Sequence, residues 1–265
     1  MGNRRGQDSG ANSPLGGFLA SRPPRVLAHR GLALDAPENT LQAFAAAVAI
    51  GATHIETDVH VSADGDAIIA HDPNLSRVAG RDVRVDQLTT GELARVPLGA
   101  GQSFATLAEA LDGFPETYFN IDIKTEGAVE PTVRAITKLA ATSRVLIASF
   151  SARRRIAVVR QLPGVATSLS MNLGPQAILG ARVGARPLLR RLLRGVDAVQ
   201  LPFRLRGVDV LTARAVAGFH AAGVEVHAWT VNEAEDMERL LERGVDGIVT
   251  DRVDVAMPVL ERYRV

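Results

Sequence analysis

From residue 26 onward, short apolar runs alternate with longer amphipathic ones. The run VLAH (26–29) predicts a strand, and the alanine-rich stretch 39–50 predicts a helix. THIETDV (53–59) and AIIAHD (67–72) predict two strands joined through Asp64-Gly65, a turn dipeptide. Residues 73–104 hold four glycines and two prolines and read as an excursion from the regular pattern. After a helix at 106–113 and a strand at 118–124 the rhythm becomes regular. Helices at 128–141 and 151–161 lead to strands at 145–149 and 165–170. One or two helices fill 173–194. Strands at 197–201, 225–231 and 247–250 then alternate with helices at 209–222, 233–243 and 253–262.

Repeated strand–helix units predict a parallel sheet covered by helices. Nine strand candidates compete for the eight places of a closed barrel, and the Asp-Gly connection is too short for a crossover helix. Either one candidate lies outside the barrel or the barrel is locally distorted. No Gly-x-Gly-x-x-Gly follows the first strand, which disfavours an open dinucleotide-binding sheet. The expectation is an α/β fold, a somewhat distorted (β/α)8 TIM barrel over residues 25–265. It carries a small insertion (73–104) after the third strand and has its active site at the C-terminal strand ends.

The 265 residues are enough to bury a sizeable core without disulfides. The absence of cysteine excludes zinc-finger, iron–sulfur and cysteine-nucleophile chemistry and leaves the redox compartment open. Thirty basic and 29 acidic residues give a net charge of +1, which argues against a nucleic-acid partner but not against a small anionic substrate. Residues 1–24, rich in Gly, Ser, Asn, Pro and Arg, are expected to form a disordered tail. No secretory pattern and no 18-residue apolar run is present, so the default expectation is a cytoplasmic protein without a transmembrane segment.

Polar groups gather where a barrel would place its strand ends. The first strand ends in His29-Arg30-Gly31. The second carries His54, Glu56, Asp58 and His60 at alternate positions, hence on one face. The third ends in His71-Asp72, and the fourth carries Asn120, Asp122 and Lys124. Carboxylates two residues apart on a strand have roots about 7 Å apart and can lean onto one ion, with Asp122 supplying a third oxygen. Oxygen ligands without thiols favour one hard divalent cation, Mg²⁺ or Ca²⁺. Arg30 and Lys124, one of only two lysines, suit phosphate oxygens, and His29 and His71 suit proton transfer. Together they describe a site for displacement at the phosphorus of an anionic phosphoester.

The ordered set of motifs resembles the glycerophosphodiester phosphodiesterase family, of the PLC-like phosphodiesterase superfamily. The set begins with His29-Arg30-Gly31, Pro37-Glu38-Asn39-Thr40, Glu56-x-Asp58, His71-Asp72 and Leu75-x-Arg77-x-x-Gly80. It continues with Asn120-Ile121-Asp122-Ile123-Lys124, Trp229-Thr230-Val231-Asn232 and Gly244-Val245-Asp246-Gly247-Ile248-Val249-Thr250-Asp251. The resemblance implies a metal-dependent hydrolase that releases glycerol 3-phosphate and an alcohol. It implies catalytic His29 and His71, phosphate-binding Arg30 and Lys124, and metal ligands Glu56, Asp58 and Asp122. It also places Trp229 as a wall against the substrate, and the 73–104 insertion at the glycerol end. Glu38 is expected to reach the substrate and Thr40 to cap the first helix. Phe150, Gln200 and Asn232 are secondary rim candidates. His54 is expected deeper in the barrel and His60 beyond the ligands.

Two departures from the family pattern bear on this reading. Asp122 stands where Glu is common, which retracts an oxygen by about 1.5 Å, and Val253 stands where Pro is common. Two other readings compete: a lysophospholipase D or sphingomyelinase D-like enzyme acting on lipid, and a non-catalytic binding barrel. Oligomeric state is not legible.

Overall fold

The computed structural model describes residues 17–205 and 207–263. In chain order its strands are β1 (Arg25–His29), β2 (His54–Val61), β3 (Ala67–Ile69), β4 (Tyr118–Ile123), β5 (Val145–Ala148), β6 (Ala166–Thr167), β7 (Ala198–Pro202), β8 (Arg204–Leu205), β9 (Val208–Asp209), β10 (Glu225–Trp229) and β11 (Gly247–Thr250). Eight of them form one parallel sheet in the order β6-β5-β4-β2-β1-β11-β10-β7. A parallel bridge between Ser168 and Ala198 joins the two ends, supported by Leu169 N–H donating to the Ala198 carbonyl (2.9 Å). The result is a nearly closed (β/α)8 barrel.

The surplus candidate is β3, which pairs antiparallel with β2 through Val59↔Ile69 and Val61↔Ala67 and lies off the barrel path. It also ends at Ile69 rather than at residue 72. Strand 165–170 contracts to Ala166–Thr167, because beyond Thr167 the chain leaves β5 to meet Ala198. The small hairpin β8–β9 occupies residues expected to be loop up to Val208 and helix at Asp209; the helix starts instead at Ala213, where Thr212 caps it.

The period-two pattern explains the layering. On β2, Ile55 and Val59 face outward into the helix layer, and on β4 so do Phe119, Ile121 and Ile123; all are fully buried. The alternate residues face the barrel axis. There Leu27, Leu146, Ala198 and Val249 form a second apolar cluster, plugged from below by Phe18. Phe18 packs edge-on against His54 (4.9 Å between centroids), which stacks on Tyr118 at 4.7 Å.

Residues 17–24, expected to be part of a disordered tail, are therefore ordered: Phe18 has 1% of its surface exposed. Buried Arg25 fixes them, donating to the Leu19 carbonyl (2.8 Å), to Ser21 and to Glu225 Oε2 (2.5 Å). The expectation for residues 1–16 lies outside the described residues. Residues 73–104 are not bare loop. Leu75, Val85, Leu93, Val96 and Phe104 pack with Ile68 into a small core of their own. Among the described residues no helix is long and apolar enough to cross a membrane.

Candidate active site

Strand register assembles the polar groups. His29 lies beside Glu56, Glu56 beside Asn120, and Asp58 beside Asp122 across β1, β2 and β4. All side chains of this set point into the C-terminal mouth of the barrel. His71 arrives by a different route from the one its position after a strand suggests. Because β3 runs back down β2, it returns the chain to the level of Asp58, where Ala70 N–H donates to the Asp58 carbonyl (3.0 Å). His60 Nε2 then bonds the His71 carbonyl at 3.1 Å and holds that backbone.

Just past β1 the chain turns sharply over the barrel rim. Arg30 has φ +60° and Gly31 φ +87°. A Cβ on Gly31 would stand 2.6 Å from the backbone carbon of Ala43, so only glycine fits against the following helix, Leu41–Ala49. Arg30 is fixed in its left-handed conformation by its N–H donating to the Glu56 carbonyl (2.9 Å) and its carbonyl accepting from Asn39 N–H (2.9 Å).

Asp58, 1% exposed, is fully engaged. Its Oδ2 accepts from Asn39 Nδ2 (3.0 Å) and lies 3.2 Å from Arg30 Nε, and its Oδ1 lies 2.7 Å from Lys124 Nζ. Burial disfavours its charge, but Lys124 and Arg30 outweigh burial and hold its pKa below the usual carboxylate range. Lys124 Nζ also reaches Asp122 Oδ2 at 2.7 Å, and flanking these carboxylates raises its own pKa despite burial. Glu56 and Asp122 are less well compensated. Glu56 Oε2 and Asp122 Oδ1 are buried with no hydrogen-bond partner. Burial, with Asp58 beside it, pushes Glu56 up to about 8. Asp122 is raised by burial that Lys124 offsets only in part. Among the described residues no three carboxylate or imidazole groups already close around one point tightly enough to enclose an ion.

Both histidines are held at Nδ1 by a carboxylate. His29 Nδ1 lies 2.6 Å from Asp251 Oδ1, and His71 Nδ1 lies 2.7 Å from Asp72 Oδ1. Asp251 is in turn fixed by Asn232 Nδ2 (2.9 Å). His29 Nε2 faces Glu56 Oε2 at 3.8 Å. Burial works against a charged His29, but Glu56 and the Asp251 hydrogen bond prevail and raise its pKa.

A cavity of about 690 Å³, counted to its open mouth, is lined by His29, Arg30, Glu56, Asp58, His71, Asp122, Lys124 and Trp229. Eight of the nine residues singled out from the sequence thus share one wall. Phe150, Gln200 and Asn120 line it as well; the Phe150 ring is 6.3 Å from Trp229 and 5.7 Å from Lys124 Nζ. Glu38 is the exception. Expected to touch substrate, it stands behind Arg30 in an adjoining recess, where Oε1 is taken by Arg30 (2.9 Å) and Arg77 (2.6 Å). Arg77 Nε also holds Asp72 at 2.5 Å, tying the 73–104 segment to both sides of the site. Neither His54 nor Asn232 lines the cavity.

Asp251, Asp72, Arg77 and Asn39 are the supporting residues that sequence reasoning left without a role. All four stand inside the quoted motifs, but nothing in the motifs assigns their partners. Thr40 caps its helix as expected, accepting from Ala43 N–H (3.2 Å), whereas Asn39 spends its side chain on Asp58 and Thr57.

Comparison with known proteins identifies the family. The model of the glycerophosphoryl diester phosphodiesterase family matches residues 29–255. The protein named Probable glycerophosphodiester phosphodiesterase 2, from Mycobacterium tuberculosis, is 44% identical over 95% of this chain and 96% of its own. A glycerophosphodiester phosphodiesterase of Caldanaerobacter subterraneus is 32% identical over 85% and 93%. The crystal structure of a glycerophosphodiester phosphodiesterase from Thermotoga maritima superposes with a TM-score of 0.70 at 25% identity, covering 88% of this chain and 97% of that one. The chain therefore belongs to the glycerophosphoryl diester phosphodiesterase family of enzymes.

Proposed function

We propose that this chain hydrolyses glycerophosphodiesters to glycerol 3-phosphate and an alcohol, with His29 and His71 as the proton-transfer pair. The observation that carries the reading is the pairing of each imidazole with its own carboxylate at Nδ1. That pairing fixes the tautomer and leaves Nε2 of both rings for a substrate in the cavity between them. One ring accepts the proton of the attacking hydroxyl, either water or the neighbouring glycerol hydroxyl; in the second case a cyclic phosphate forms, which a water then opens to glycerol 3-phosphate. The other protonates the departing alcohol. Arg30 and Lys124 bind the phosphate oxygens and stabilise the charge that grows on them during displacement. Phe150 and Trp229 wall the outer part of the cavity.

A divalent cation, Mg²⁺ or Ca²⁺, suits the carboxylates. Glu56 and Asp122 each offer a buried oxygen with no other partner, and hard oxygen donors match either ion. Asp58, the third expected ligand, is already filled by Asn39, Arg30 and Lys124, so the cation and the Lys124 ammonium compete for it. When bound, the ion supplies Lewis-acid polarisation of the phosphate and the attacking oxygen. A cytoplasmic location and a small-molecule substrate complete the reading.

The test is product identification from a panel of glycerophosphodiesters and lysolipids, in EDTA and after adding back Mg²⁺, Ca²⁺ or Mn²⁺. Glycerol 3-phosphate from the soluble diesters, restored by metal, is the expected result. Lysophosphatidate from lysolipids as the dominant product would replace this reading with that of a lysophospholipase D.

A further inference from the structure

The net charge of +1 conceals a strong asymmetry. Residues 131–196 contain no acidic residue and 12 of the 30 basic ones. This stretch ends in a helical hairpin, Gly174–Val183 and Arg186–Leu192. The first of these helices is amphipathic in the reverse of the usual sense. Its buried positions are Gly174, Ala177, Gly180 and Ala181, small residues that let it lie close to the barrel. A Cβ on Gly218 of the neighbouring helix would stand 2.8 Å from the Ala181 carbonyl oxygen. Two large apolar residues point out instead, while Ile178 packs against the core. Leu179 and Val183, one turn apart, are each 61% exposed, and Leu188 is 38% exposed. Leu188 closes over the same helix, its Cδ2 standing 3.4 Å from where a Cβ on Gly180 would lie.

The second helix and the turn after it carry Arg186, Arg190, Arg191 and Arg194, all exposed. Among the described residues none of the four forms an ion pair or a side-chain hydrogen bond, whereas many of the other surface arginines do.

We propose that this hairpin docks on an anionic phospholipid surface. Exposed leucine and valine in one hairpin with unpaired arginines supply the two terms such binding needs: apolar burial at the headgroup boundary and attraction to acidic lipid. The surface carries no aromatic side chain on which nucleic-acid bases could stack, and a second copy would oppose like charge to like charge.

The experiment is co-sedimentation of the full chain with neutral phosphatidylcholine vesicles and with vesicles containing roughly one-third phosphatidylglycerol. Wild type is expected to bind the anionic vesicles alone, more weakly as salt rises. Arg190→Gln/Arg191→Gln should lower the partition coefficient about 25-fold, at about five-fold per arginine. Leu179→Ser/Val183→Ser should lower it about tenfold or more. Both variants should turn over a water-soluble diester as wild type does, which also shows that they fold. Equal binding to neutral vesicles, or no vesicle binding, overturns the proposal. So does tighter retention of a DNA oligonucleotide than of vesicles at equal salt, or a dimer that the Leu179→Ser/Val183→Ser variant dissolves.

Discussion

Replacing Glu56 by glutamine in protein stripped of divalent ions should flatten the dependence of stability on pH. In the folded chain, burial and the neighbouring Asp58 carry the Glu56 pKa from its ordinary 4.5 to about 8. Between those values the native state holds a proton that the unfolded chain has lost, so stability falls as pH rises through this window. At 1.36 kcal/mol per pH unit the displacement sets an upper bound of about 5 kcal/mol. Half of that bound lowers the melting temperature by roughly 5–10 °C for a chain of this size. A glutamine side chain at this position keeps the shape and loses the charge. Thermal melts of wild type and Glu56→Gln in EDTA, from pH 4.5 to 8.5, should therefore diverge, wild type losing more stability on the alkaline side. Adding Mg²⁺ or Ca²⁺ at pH 8 should restore wild type more than the variant, because a cation supplies the counter-charge that Glu56 lacks. Parallel pH profiles in the two proteins would rule out a raised Glu56 pKa as the source of the alkaline loss.

The supporting residues give two more expectations. With Glu56, Asp251 raises the His29 pKa, and Asp251→Asn removes that second carboxylate. In chelator the imidazole titration of His29, followed by NMR, should move to lower pH, and kcat should fall while the fold persists. Asn39→Ala strands the Thr57 hydroxyl and takes one donor from Asp58, both buried. Denaturant titration should show a loss of about 1–3 kcal/mol.

Much of the barrel was legible because its strands are buried on both faces in regular rhythm, and because polar residues at strand ends have no packing reason to be there. What stayed hidden depended on partners far along the chain. Asp251 stands in a quoted motif, yet only the pairing of β1 with β11, Ala28 beside Thr250, brings it to His29. Local signals also misled. Asn39 stands beside the helix cap Thr40 in a turn that gives its side chain no partner, but its φ of +57° aims the side chain inward at Asp58. The composition of residues 1–24 masks Phe18, whose ring fills the barrel floor. Asp64-Gly65 signals a hairpin, which by itself implied that β3 runs antiparallel and that His71 doubles back to the level of Asp58. The near-zero net charge hid the stretch 131–196, which holds 12 basic residues and no acidic one.

Turnover of His29→Ala and His71→Ala, each with a soluble glycerophosphodiester at saturating metal, decides whether the two imidazoles do the chemistry. Both rings line one cavity and each is fixed by its own carboxylate. Each substitution should therefore lower kcat by about two orders of magnitude or more, with the melting temperature little changed. Wild-type-like turnover in both folded variants would contradict the assignment of the two histidines as the proton-transfer pair.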